Sequence, residues 1–154
     1  MLRKTLLAGL ALTIVAGTAW ALDDKQAVKA TETRQAVLKI IGWNIGPMAG
    51  MVREQIPYDA EQFQLRADRL AFMSTMLVDS FRPDTTDFPV ETEALDGIWD
   101  DFGEFEQLGD AMQEKAMALN EVAKGGDFDA VKGAFVELGQ SCKNCHDKFR
   151  EDKD

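Results

Sequence analysis

From about residue 25 onward, apolar side chains recur at intervals of three and four rather than two, which is the spacing of one face of an α-helix. The first such stretch, from about Lys25 to Gln55, carries Val37, Leu38, Ile41, Ile45, Met48 and Val52, and Gly46 with Pro47 inside it predicts a kink. Pro57 stops that helix. Asp59 with Gln62 three residues on resembles a capping box and opens a second stripe of Phe63, Ala67, Leu70, Met73, Leu77 and Phe81. Between Arg82 and Ile98 two prolines and many turn formers predict the longest irregular connection, of a length that often carries function. A third stripe, starting near Trp99, runs through Phe102, Phe105, Leu108, Met112, Ala116, Leu119 and Val122. Gly125 and Gly126 suit a left-handed helix end, and Asp127 can cap the fourth stripe: Phe128, Val131, Phe135, Leu138, Cys142, Cys145 and Phe149.

Four amphipathic stretches and no sustained period-2 alternation predict an all-α fold, an antiparallel four-helix bundle whose inward positions share one interior. The pattern leaves out the first 21 residues. There Arg3 and Lys4 precede an apolar run from Leu6 to Val15, and Ala19 and Ala21 flank Trp20 as in a signal-peptidase site, so residues 1–21 read as an export signal cut after Ala21. A retained membrane anchor would need a run of about 20 apolar residues and a second basic flank. Residues 22–154 then form one domain in an exported, hence periplasmic, protein.

Charge narrows the partners. Without Arg3 and Lys4, 15 basic residues face 27 acidic ones, a formal charge of −12. Such a surface repels phosphate backbones, which argues against nucleic acid and is compatible with a positively charged redox protein.

Both cysteines and the one histidine of the chain lie within "SCKNCHDKF", residues 141–149. Export would ordinarily pair two cysteines, but a disulfide closing so small a loop within a helix constrains the unfolded chain little. C-x-x-C-H is instead the attachment signature of c-type haem: two thiols form thioethers with the vinyl groups, and the adjacent imidazole takes the iron. On a helix Cys142 and Cys145 share a face with His146, so one flat ring can be held at its edge by sulfur and at its centre by nitrogen. A structural zinc site wants four ligands, and a thioredoxin-like pair belongs to a strand-rich unit that the pattern lacks. The second axial position stays open on these grounds. No other histidine exists, and Met48, Met51, Met73, Met76, Met112 and Met117 are conceivable sulfur ligands although methionine at helical spacing usually fills core. A six-coordinate iron favours plain electron transfer, an open position the binding of a small gas.

With "CKNCHDKFR" at the end, "RQAVLKIIGWNIGPM" in the first helix, the "PYDA" turn and "TEALDGIW" before the third helix, the chain resembles the cytochrome c′ family over essentially all of residues 22–154. The resemblance implies one haem c per chain, covalent through Cys142 and Cys145, with His146 as the iron ligand and the other face closed by Leu38 without ligation. It implies propionate contacts from Arg34 and Gln35, a loop segment near the haem edge at Thr92 and Glu93, and a basic residue, Arg150, near the imidazole. The implied activity is binding of nitric oxide or carbon monoxide at a five-coordinate iron and one-electron exchange, without an enzymatic acid or base; the alternative is a six-coordinate electron carrier with a methionine ligand. The family's dimers imply a homodimer through the first and second helices, where Ile40 and Trp43 add apolar surface.

Overall fold

Asp23 opens the first helix with a complete capping box: its carboxylate accepts from Gln26 N–H at 2.8 Å, and Gln26 Oε1 accepts from Asp23 N–H at 3.0 Å. In a computed structural model describing residues 22–152, the chain forms α1 (Asp24–Val52), α2 (Ala60–Ser74), α3 (Leu77–Phe81), α4 (Gly97–Asp100), α5 (Phe102–Ala123) and α6 (Phe128–Phe149). The export segment at residues 1–21 lies outside the described residues. Among those described, no helix is long and apolar enough to cross a membrane, and extended structure is limited to one bridge between Ala94 and Arg150.

The α1 helix continues through Pro47. Proline removes the N–H that would bond to Trp43 four residues earlier. That carbonyl instead accepts from Arg66 Nη1 on α2 at 3.4 Å, so a neighbouring helix supplies the missing donor. The second predicted helix divides in two at Thr75–Met76. Ser74 and Thr75 hydroxyls donate to the carbonyls of Ala71 and Phe72, and the amides of Thr75 and Met76 bond three residues back, which tightens the ladder and ends it. At Asp59 only half of the expected box forms: the carboxylate accepts from Gln62 N–H at 3.0 Å. Gly126, at φ 70°, takes the left-handed position before Asp127 caps α6.

With α2 and α3 as one broken arm, the arms are α1, α2–α3, α5 and α6. The packed interfaces are α1 on α2 and α3, α5 on α2, α3 and α4, and α5 on α6. Ala67, Leu70, Ala116 and Leu119, all fully buried, fill the middle. No comparable interface joins α1 to α6 among the described residues, and the ring of helices is open along that seam. A strap, residues 82–96, crosses one end of it before the short α4.

Candidate functional site

The α1–α6 seam holds a cavity of about 1140 Å³, above the roughly 300–1,000 Å³ of ordinary small-molecule pockets. On the α6 side it is lined by Leu138, Gly139, Cys142, Cys145 and His146; on the α1 side by Arg34, Leu38, Ile41, Gly42 and Ile45; and in its depth by Phe81, Ile98, Phe105 and Met112. Gln35, Thr92, Glu93 and Arg150 also border it, so all nine side chains singled out in the sequence meet at one chamber.

The reason for the α6 wall is helical spacing: Leu138, Cys142, Cys145 and Phe149 follow one another at four, three and four residues. The two thiols are unpaired and half-buried, packed against the core edge rather than inside it. Burial pushes Cys145 up to about 11, with the Cys142 charge a second cause. Burial also raises Cys142, opposed by hydrogen bonds from Ser141 and its own backbone. His146 is held below its usual range, first by desolvation and then by Arg150, with Asp147 opposing; a neutral imidazole is the ligating form. Among the described residues no three His, Cys, Asp or Glu side chains cluster as metal ligands.

Arg34 departs most from an ordinary helix residue. It is 1% exposed, its Nη2 donates to the Pro83 carbonyl at 3.2 Å and to Thr85 Oγ1 at 3.1 Å, and its guanidinium carbon lies 4.8 Å from the Trp99 ring centre and 5.2 Å from that of Phe81. Trp99 is itself held by its indole N–H on the Phe81 carbonyl at 2.9 Å. Desolvation lowers the Arg34 pKa, partly offset by Asp84. Its Nε and Nη1 are buried with no partner in the protein. Two orphaned donors on a buried cation at a cavity wall fit a carboxylate entering that cavity. The apolar walls, the thiol pair, the imidazole and this cation together fit a haem, with Cys142 and Cys145 to tether the ring, His146 to hold iron and Arg34 to meet a propionate.

Leu38 lies on the α1 wall, 39% exposed, with Ile41 and Gly42 beside it. Gln35 donates to the Glu91 carbonyl at 2.9 Å, Thr92 Oγ1 accepts from Ala94 N–H at 3.1 Å, and Arg150 Nε donates to Glu93 Oε2 at 2.9 Å. Of the methionines considered as ligands, Met112 lines the cavity; Met48 and Met51 are buried away from it. Phe81, Thr85 and Trp99, which support Arg34, were not among the site residues expected. A signal for Arg34 did exist: it falls on the buried α1 series Ala27, Thr31, Arg34, Ile41 and Met48, where a charge is out of place unless it has a purpose.

A helical bundle whose fourth seam is an apolar chamber, with C-x-x-C-H on one wall, is a bundle of the c-type haem class. The chain belongs to the cytochrome c′ family, whose model matches residues 29–150. It is similar to cytochrome c′ of Halomonas halodenitrificans, 37% identical over 125 residues that cover 79% of this chain and 95% of that protein. In three dimensions it is similar to cytochrome c prime from Shewanella frigidimarina, with TM-score 0.78 and 36% identity over 84% of this chain and all of that one. It is also similar to the nitric oxide complex of a leucine-to-alanine variant of cytochrome c prime from Alcaligenes xylosoxidans, with TM-score 0.75 and 32% identity over 82% and 97% of the two chains.

Proposed function

We propose that the protein is a periplasmic haem protein with a five-coordinate iron that binds nitric oxide or carbon monoxide and exchanges single electrons. The observation that carries the reading is the apolar stretch of the α1 wall opposite the C-x-x-C-H helix: Leu38, Ile41, Gly42 and Ile45 cannot ligate a metal, and the polar α1 residues Gln35 and Lys39 border the cavity beside them. A haem held through Cys142 and Cys145 would supply an iron able to take a small gas molecule and a one-electron couple. The chain's own residues do the rest. His146, held neutral, keeps one face; Arg34 neutralises a propionate with donors that have no other partner; Leu38 excludes water from the second face and offers no hydrogen bond. Polarised dioxygen gains from such a donor, whereas carbon monoxide and nitric oxide depend on it less, so this wall selects against oxygen. The nitric oxide complex of the Alcaligenes relative supports the gas-binding part.

The absorption spectrum of the purified ferric protein, followed by carbon monoxide addition to the ferrous form, tests this. A high-spin spectrum and a carbon monoxide adduct are expected; a low-spin spectrum with a methionine-sulfur band overturns it. That second reading, a six-coordinate electron carrier, draws on Met112, which lines the cavity. Met112→Leu leaves the spectrum unchanged if the iron is five-coordinate. Self-association is part of the proposal: Trp43 and Phe72, 60% and 62% exposed, lie with Ile40, Leu65 and Met76 along α1 and the α2–α3 arm. Arg66 and Arg69 stack on Trp43 at 5.3 and 5.6 Å. A purely monomeric sedimentation profile at micromolar concentration would count against a dimer.

A further inference from the structure

Three side chains that the family resemblance brings to the cofactor are also bonded elsewhere, and the pattern of those bonds is informative. Gln35 on α1 gives its amide to the Glu91 carbonyl, and Arg150 at the end of α6 grips Glu93 through Nε and Nη2 at 2.9 and 2.8 Å. Two backbone bonds lie beside that ion pair: Leu95 N–H to the Phe149 carbonyl at 3.0 Å, and Glu151 N–H to the Glu93 carbonyl at 2.8 Å. The strap is therefore fastened to α1 on one side and to the end of α6 on the other. These are the two helices that the cavity keeps from packing on each other. Leu38 stands three residues beyond Gln35 on the same helix, so whatever sets the distance between α1 and α6 also sets how closely Leu38 covers the chamber.

We propose that the strap is a clamp: through Gln35 on one wall and Glu93–Arg150 on the other, it sets the width of the α1–α6 seam and so how readily Leu38 gives way to an entering gas molecule. The inference rests on Leu38 closing an otherwise open axial face. Gln35, Glu93 and Arg150 are then positioning residues that act through Leu38. Their fastenings are individually weak, since the ion pair is about half exposed to water. Loosening one changes rates by a modest factor and leaves binding itself intact.

The test is carbon monoxide association measured by stopped flow on the full haem-loaded protein, alongside backbone amide exchange at Glu151. Glu93→Gln weakens the ion pair, and Leu95→Pro removes the N–H given to Phe149. Each is expected to speed exchange at Glu151 and to raise the association rate about two- to fivefold. In a Leu38→Ala background the same changes should leave the rate where Leu38→Ala alone sets it, which general loosening of the protein would not produce. Faster exchange with an unchanged rate overturns the clamp, as does an equal rise in both backgrounds. If Leu38→Ala itself binds carbon monoxide at the wild-type rate, the distal assignment fails, and the clamp fails with it.

Discussion

The two sides of the bundle are built from similar residues to opposite ends. Between α2 and α5, Ala67, Leu70, Ala116 and Leu119 are fully buried against one another. Across the α1–α6 seam, Gly42 and Gly139 line the cavity with nothing within 4 Å of where a Cβ would stand. One side is complete as protein. The other is a cavity wall, whose apolar surface contributes to stability only when something covers it.

The largest expected effect of that difference is on removal of the cofactor. In chain produced without haem, amide exchange in α1 and in α6 around Cys142 should approach the rates of local unfolding, while α2 and α5 stay protected. Uniform loss of protection over all helices would show that the two sides are one cooperative unit. Leucine truncation draws the same line more finely. Leu119→Ala, in the packed side, should cost about 2–5 kcal/mol with or without haem. Leu108→Ala, at the cavity wall, should cost less than about 1 kcal/mol without haem and more with it, as read from urea unfolding.

Arg34→Met should cost far less in one form than in the other. Without haem the substitution removes a buried cation with two unpartnered nitrogens, which offsets much of the loss of its bonds to the Pro83 carbonyl and the Thr85 hydroxyl, and the net cost should stay within about 1 kcal/mol. With haem it removes the charge-assisted partner of a carboxylate and should cost about 1.5–3 kcal/mol. Equal losses in both forms would mean that Arg34 serves the strap through Pro83 and Thr85 rather than the cofactor.

Much of this division could be read in the chain before any coordinates, though unevenly. Periodicity found the arms because burial on one face forces it, and "CKNCH" named its chemistry because few other uses require that spacing. The break at Thr75 was hidden because hydroxyls that compete with the ladder leave the apolar stripe intact. The helix through Pro47 was legible as one stretch, but the donor that meets the freed Trp43 carbonyl, Arg66, was not, because it comes from another helix. The fastening of the strap to Gln35 and Arg150 could not be read from spacing, since each pair is more than 50 residues apart and one acceptor is the Glu91 main-chain carbonyl.

The thiols extend the comparison to pH. Burial raises both, so in the haem-free chain folding favours the neutral sulfur; this stability is fully present below the ordinary thiol pKa of about 8.5 and is lost as pH rises through about 11 for Cys145. The loss should amount to about 1–2 kcal/mol once solvent screening of half-buried sulfurs is allowed for. If haem attachment turns both thiols into thioethers, loaded protein should show no such thiol component in urea unfolding between neutral pH and about pH 11.

The smallest expected effect lies at the exposed end of α1 and serves as a control for both sides. Glu54, just past the end of α1, has φ 58°, a left-handed conformation at a position where helices usually place glycine. The turn is set by the amides of Gln55 and Ile56, which both bond to the Gly50 carbonyl, so the conformation is imposed by the helix end rather than chosen by the side chain. Lys132 Nζ meets the Glu54 carboxylate at 3.3 Å, but this exposed pair offers a few tenths of a kcal/mol at most. Glu54→Gly should therefore raise stability by about 1 kcal/mol, and by the same amount with and without haem, because the position touches neither the packed core nor the cavity. A gain confined to the loaded protein would mean that the end of α1 is ordered only when the ring is in place, and would move the boundary between the two sides out to residue 54.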